Sequence, residues 1–325
     1  MMIMATKRIG AAVVALIAAI CAQGAVKVGD LLTEGLRNPL NVEREQPRFS
    51  WVITSDKRDV MQKSCHILVA SSPENLAAGK GDVWDSGEMA TGESVWVPYG
   101  GRKLRPGERY YWKVKVSTNK GASQWSEPAE WGQGLGGEVN WRGRWIGYDA
   151  AFPWDVEDSH SRLSSRYLRT EFDAGTKPVR RATLHISGLG MYDLFINGDT
   201  IGDQVLAPAV SDYRRTVIYN THDVTDRIKA GANAIGVTLG NGRYYTMHQN
   251  YKKYKIPNFG YPKLRLNLLI EYADGTTQRV NSDEKWRLTA DGPIRSNNEY
   301  DGEWCDARKS LGAWTVSYTP LTLPT

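Results

Sequence analysis

The chain has 325 residues, a formal charge of +5, 41% hydrophobic residues and 24% charged residues. This length predicts about two domains, and the composition excludes a wholly disordered or collagen-like chain. Lys7 and Arg8 lie in a segment expected to be removed, which leaves 5 − 2 = +3; that charge, with no Lys/Arg run longer than two residues, excludes an electrostatic nucleic-acid footprint.

The aromatic balance is unusual, with 12 Trp and 16 Tyr against 5 Phe. Both abundant types carry an apolar face and a polar handle, which suits extracellular β domains and sugar-binding surfaces. The densest basic stretch, Tyr251-Lys-Lys-Tyr-Lys255, reads as a solvated loop.

Residues 1–24 read as a secretory signal. Lys7 and Arg8 form its positive end, Ala11 to Ile20 its apolar run, and Ala22 and Gly24 the small residues before cleavage. Lipidation at Cys21 is the alternative, with Ile20 a poor fit before it. The apolar run is too short to span a membrane, and no later stretch serves as a transmembrane helix. The product is expected to be secreted or periplasmic. Cys65 and Cys305 are expected as two buried free thiols rather than a disulfide, and neither Cys nor His spacing suggests a zinc site.

From 27 to 134 the pattern is that of a β-sandwich. Phe49-Ser-Trp-Val-Ile53, Cys65 to Ala70, Val83-Trp-Asp85 and Ser94 to Val97 are strands. Ser72 is placed as the N-cap of one helical turn, with Pro73 at its first position. In Tyr110 to Val116, Tyr110, Trp112, Val114 and Val116 share one face, with Lys113 and Lys115 on the other. Leu104 to Tyr110 resembles the tyrosine corner of immunoglobulin-like and fibronectin type III sandwiches. Gln124-Trp-Ser-Glu-Pro128 resembles the last strand of a fibronectin type III module. Trp51, Trp84 and Trp112 are expected in the core.

Gly134 to Gly137 form a flexible joint within a linker at 135–166, where Trp141 and Trp145 are expected to pack the joint between domains. A second all-β domain, a jelly roll, runs over 167–314. Ala182 to Ile186 and Met191 to Ile196 are strands. Asn197-Gly198 predicts a type I′ hairpin, because both residues tolerate positive φ. Asp274-Gly275 centres a second hairpin. Ser187-Gly-Leu-Gly190 lacks the full phosphate-loop pattern and reads as a tight crossing between strands. The uncharged end, 315–325, is expected to be a non-native or truncated tail.

Both domains together resemble the N-terminal part of bacterial alpha-L-rhamnosidases. The resemblance rests on Asn38-Pro-Leu40, Pro47 to Trp51, Val83 to Gly87 and Tyr110-Tyr-Trp112 in the first domain. In the second it rests on Ser187 to Tyr192, Ile196-Asn-Gly198, Gly202 to Pro208, Tyr219 to Thr225, Leu239 to Tyr244 and Glu299 to Arg308. It implies removal of terminal alpha-L-rhamnose by inversion, with catalytic carboxylates in an (α/α)6 barrel that this chain lacks. The partners implied are a rhamnose-containing glycan and that missing barrel. No catalytic residue is assigned here. The acidic cluster Glu299, Asp301, Glu303 and Asp306 reads as a solvated strand and turn. In some members a comparable β-sandwich binds rhamnose with calcium. Asn197, Asp199, Asn241, Tyr244 and Tyr245 are therefore the carbohydrate candidates, and Asn197, Asp203 and Asn241 the calcium candidates. Asn197 and Asn241 each precede Gly, so a pure turn role stays open. A freestanding secreted carbohydrate-binding protein is the alternative function, and the front end of a beta-galactosidase relative is a third.

Overall fold

The computed structural model describes residues 26–156, 163–246, 258–298 and 302–317. The signal segment, the Tyr251–Lys255 stretch and residues 318–325 lie outside them. The described residues are almost entirely β and fall into two units, divided between Asn140 and Trp141. Among them no helix is long and apolar enough to cross a membrane.

In the first unit, β1 (Lys27–Thr33), β2 (Arg48–Thr54) and β5 (Val97–Pro98) form one antiparallel sheet. The second sheet holds β4 (Trp84–Met89), β3 (Gln62–Ala70) and β6 (Arg109–Thr118), with β7 (Gly121–Ala122) and β8 (Ala129–Gly132) both paired to β6. Strand β6 alternates as its sequence predicts: Tyr110, Trp112, Val114 and Val116 are buried. They meet an aromatic cluster in which Phe49 lies 4.3 Å from Trp112 and 5.4 Å from Trp131. Trp51 is core as expected, while Trp84 is only partly buried. The tyrosine corner is formed, since the Arg105 backbone N–H donates to the Tyr110 hydroxyl at 2.7 Å. The helical turn α1 (Pro73–Ala77) begins with the Ser72 hydroxyl accepting from the Asn75 N–H at 3.2 Å.

In the second unit, most consecutive strands cross between two five-stranded sheets, the hairpins β12–β13 and β16–β17 excepted. Its strands are β9 (Ile146–Gly147), β10 (Arg166–Asp173), β11 (Val179–Leu189), β12 (Met191–Ile196), β13 (Asp199–Thr200) and β14 (Asn220–Asp223). Then follow β15 (Ala232–Gly240), β16 (Lys263–Tyr272), β17 (Thr277–Asn281) and β18 (Arg287–Thr289). One sheet runs β13-β12-β15-β10-β18, and the other β14-β11-β16-β17 with β9 on β16. The shared core includes Leu184, Ile186, Val237, Leu239, Leu266 and Leu268. Each such side chain contributes about 1.5–3 kcal/mol on burial. A hairpin of β19 (Ile294–Asn298) and β20 (Gly302–Cys305) follows.

Two turns explain the path. Asn197 and Gly198 have φ of 53° and 92°, the double positive φ of a type I′ turn, and Ile196 pairs with Asp199. At the step from β11 to β12, Gly190 has φ +133°, and a Cβ there would lie 2.2 Å from the Gly240 carbonyl oxygen. The chain changes sheets at this point of backbone contact, as the glycine spacing predicts.

Three expectations are corrected. Much of the stretch read as a linker is structured within the second unit: β9 pairs with β16, and the Gly143 N–H donates to Asn267 Oδ1 at 2.6 Å. Trp141 and Trp145 belong to that unit too, flanking the Arg265 guanidinium at 5.2 and 5.8 Å. Both cysteines are free, but only Cys65 is buried; Cys305 is exposed because β20 has no buried residue. Thr315 and Val316, placed in the tail by sequence, follow Trp314 across the outer face of the β10 sheet. There Arg169 Nε donates to the Trp314 carbonyl at 2.6 Å and Nη2 to that of Val316 at 2.8 Å.

Two stability measurements follow. Tyr110→Phe leaves the Arg105 N–H without its acceptor and is expected to cost about 1–3 kcal/mol in denaturant unfolding; an unchanged midpoint would remove the corner from the account. His185, on the outer face of β11, is 6% exposed beneath Tyr219, and burial pushes its pKa down to about 4, with His222 adding to the shift. The unfolded chain binds this proton near pH ~6.5 and the folded chain only near the lower value, so stability falls as pH drops through that window. The expected loss is about 2 kcal/mol between about pH 7.5 and about pH 5, and His185→Gln should flatten that slope by the same amount. An unaltered slope in the variant would refute the assignment.

Candidate functional site

The predicted residues separate to opposite ends of the second unit. Asn197 sits in the β12–β13 turn, where every polar atom of its side chain has structural work. Its Nδ2 donates to the Arg227 carbonyl at 2.9 Å and to Asn233 Oδ1 at 2.8 Å, and its Oδ1 accepts from the Ala234 N–H at 3.0 Å. Asp199 accepts from Arg227 at 3.1 Å on the surface. Asn241 follows the other end of β15. Ala234 and Asn241 are therefore separated by roughly 20 Å of extended strand. The calcium set Asn197, Asp203 and Asn241 is not assembled, and among the described residues no group of three or more His, Cys, Asp or Glu is placed to hold a metal.

The Asn241 end is the more organised. Asn241 is 2% exposed. Its N–H donates to Asn297 Oδ1 at 2.7 Å, and its Nδ2 to the carbonyls of Leu163 and Asn297 at 3.0 and 2.9 Å. Asn297 Nδ2 continues the network to Ser165 Oγ at 3.0 Å. Beside it, Arg166 and Asp155 form an ion pair at 3.2 Å, both side chains having no exposed surface. Burial holds the Arg166 guanidinium below its usual range, opposed by the Asp155 charge. Asp155 also accepts from the Ser164 N–H and hydroxyl at 2.8 and 2.6 Å. Buried charge is tolerable only with this degree of pairing.

This framework carries the loop Asn241–Thr246 and its aromatic surface. The Phe259 N–H donates to the Tyr244 carbonyl at 2.9 Å, which joins two loops. The partly exposed rings of Tyr213, Tyr244 and Phe259 meet mutually, with centroid separations of 5.3, 5.4 and 5.9 Å. Tyr245 is 6% exposed and packs on Tyr261 at 5.5 Å, so it supports the loop from within. Of the five carbohydrate candidates, only Tyr244 presents a ring at this surface. Tyr213 and Phe259 escaped the sequence reading: each comes from a separate polar or glycine-rich stretch, and only the scarcity of Phe in the chain marked Phe259 as unusual.

Of the acidic cluster, Glu299 and Asp301 lie outside the described residues. Asp306 caps a short 3-10 turn and accepts from Arg308 Nε and Nη2, both at 2.8 Å. The Arg308 hydrogen bonds bring its pKa down to about 2, so it is ionised and unsuited to act as a general acid.

The comparisons with known proteins agree with this architecture. Residues 28–137 match the family model described as Rha78A-like, N-terminal immunoglobulin domain, and residues 177–320 match the alpha-L-rhamnosidase N-terminal domain. An alpha-L-rhamnosidase of Formosa agariphila is 36% identical over 308 residues, which cover 88% of this chain and 32% of the relative. One from Alteromonas sp. is 33% identical, with 90% and 31% covered. The solved alpha-L-rhamnosidase from Dictyoglumus thermophilum superposes with a TM-score of 0.79 at 35% identity, covering 90% of this chain and 33% of that one. The Aspergillus terreus structure gives 0.74 at 28%, covering 90% and 32%. The chain thus spans about a third of the length of these relatives. It belongs to the bacterial alpha-L-rhamnosidase family, as an N-terminal region made of the immunoglobulin-like domain followed by the rhamnosidase N-terminal domain.

Proposed function

We propose that this chain is the accessory, non-catalytic part of a secreted alpha-L-rhamnosidase that removes terminal alpha-L-rhamnose from glycosides or polysaccharides with inversion. The observation that carries the reading is the coverage: nine-tenths of the chain aligns with rhamnosidases three times its length. Inversion needs one protonated and one ionised carboxyl group roughly 6.5–9.5 Å apart. Asp155 is sealed against Arg166, and Asp306 is held ionised by Arg308. The catalytic pair is accordingly assigned to the (α/α)6 barrel outside these 325 residues. Export rests on the basic pair Lys7–Arg8 and the apolar run after it. The Tyr213–Tyr244–Phe259 surface is assigned to contact with the glycan, its rings offering apolar faces to sugar C–H groups.

The purified chain is expected to release no nitrophenol from p-nitrophenyl alpha-L-rhamnoside. The product of the same gene read on beyond Trp314 is expected to hydrolyse it, with the beta anomer of rhamnose appearing first by NMR. Turnover by the 325-residue chain sinks the non-catalytic assignment, and a longer product acting on galactosides alone sinks the substrate. In the active longer enzyme, Tyr244→Ala is expected to raise KM on a polymeric rhamnoside by roughly 3- to 10-fold with kcat unchanged. Equal KM values would remove the aromatic surface from substrate contact.

A further inference from the structure

We propose that the immunoglobulin-like unit carries a second, separate sugar site: a pocket between Trp125 and α1 that takes the terminal ring of a 6-deoxyhexose glycan. The choice of 6-deoxyhexose rests on the rhamnosidase reading, and the pocket itself does not.

The pocket arises from strand alternation. With Tyr110, Trp112 and Val114 turned inward, β6 points Tyr111 and Lys113 out of the five-stranded sheet. Helical turn α1 rises on one side of them, and Trp125 to Pro128, before β8, on the other. The hollow between has a volume of about 460 Å³ and is lined by Pro73, Leu76, Tyr111, Lys113, Trp125 and Glu130 among others, within the size range of small-ligand sites.

Its chemistry is that of a polyhydroxylated, uncharged ligand with apolar faces. Two aromatic side chains and two prolines make the walls, and Leu76, Ala77 and Ala129 add aliphatic surface. Three polar groups of different kinds converge there. Lys113 Nζ donates to the Leu76 carbonyl at 2.7 Å, which leaves two N–H donors. Asn38 Oδ1 accepts from the Glu130 N–H at 3.0 Å, which leaves the carboxamide NH2 to donate. Glu130 Oε1 accepts from Arg109 at 2.8 Å, which leaves Oε2 to accept. With the Glu130 charge balanced by Arg109, the Lys113 ammonium, the Asn38 amide and the second Glu130 oxygen offer donors and an acceptor for vicinal hydroxyls. The aliphatic surface suits a methyl in place of a hydroxymethyl group.

The indole is already fixed. The Lys113 and Lys115 ammonium groups lie 5.2 and 4.9 Å from its ring, and His66 meets it edge-on at 5.1 Å. His66 is itself held by Asp85 at 2.6 Å. A wall that need not be ordered on binding loses little affinity to ordering. Sequence reading placed Trp125 in a last-strand pattern and gave it no role, since Tyr111, Pro73 and Asn38 reach it only through the fold.

The test uses the 15N-labelled chain. The indole N–H resonance absent from Trp125→Phe identifies Trp125. Titration with L-rhamnose is expected to move it saturably, with half-saturation on the order of 1 mM, as a single sugar ring of few atoms permits. L-mannose, which carries a hydroxyl on the corresponding methyl carbon, is expected to bind about threefold or more weakly. Lys113→Met, which keeps the stem, should weaken L-rhamnose binding about tenfold while leaving the spectrum of the remaining tryptophans unchanged. A Trp125 resonance unmoved up to the solubility of the sugar, or shifts confined to other tryptophans, overturns the site. The enzyme reading is decided apart from this. A silent Trp125 beside an active longer rhamnosidase removes only the pocket, while rhamnose binding beside a longer product inactive on rhamnosides removes only the enzyme.

Discussion

The loop end of the second domain hangs on a charge that water never reaches. Arg166 opens β10 with no exposed surface, and Asp155, its carboxylate partner among the described residues, is equally sealed. Such a pair does little for net stability, because desolvating two ions offsets most of their attraction. Its effect is on uniqueness. Asp155 takes its hydrogen bonds from Phe152, Ser164 and Arg166 at once, so the residues on both sides of 157–162 have one arrangement against β10. Leu163 then offers its carbonyl to Asn241, and Asn241 fixes the base of the loop that ends in Tyr244. The aromatic surface is thus positioned through three layers of buried polar contact. A loop built only on solvent-exposed bonds would not hold three rings at mutual contact.

The same principle, polar groups spent on shape, explains why the best sequence candidates for ligand binding were structural. Asn197 looked like a ligand because it is an amide in a loop beside Asp199. Its amide instead ties the β12–β13 turn to the start of β15, by bonds to Arg227, Asn233 and Ala234. Asn–Gly demanded nothing beyond the turn, and that demand was satisfied. A calcium site needs several oxygens turned toward one point. Two of the three candidate residues have theirs directed into the protein at opposite ends of one strand.

What could be read from the residues was what depends on near neighbours. The alternation of Tyr110 to Val116 gave the core face of β6, Asn197-Gly198 gave a hairpin, Ser72-Pro73 gave a helix start, and the glycines of Ser187 to Gly190 gave a crossing. Each is governed by backbone geometry within a few residues. The failures were all non-local. Trp141 to Gly147 looks like a polar joint because its partners, Asn267 and Ser282, come from β16 and just after β17. Cys305 looks buried by residue type, yet its strand pairs with one neighbour only and offers no second layer. The Trp125 pocket draws on four separate segments. No pattern along the chain announces a concavity whose walls are this far apart in sequence.

The two aromatic surfaces have different physical character, and that bears on what an accessory region contributes to a glycosidase. Tyr213, Tyr244 and Phe259 meet one another edge and face, so what they present is a broad aromatic contact. On the proposed reading, such a surface adds area and some affinity to a polymer lying across it, with little discrimination between sugars. The hollow beside Trp125 is the reverse: a small volume, three different hydrogen-bonding groups and a fixed indole. It selects a ring by shape and hydroxyl pattern, and it binds that ring weakly because the ring is small. A millimolar site is of little use to a free protein. Joined by a chain to a catalytic domain, it raises the local concentration of polymer ends without a new catalytic contact. On the proposed reading, this N-terminal region then sets how often a polymer end is presented to the catalytic barrel, and how selectively.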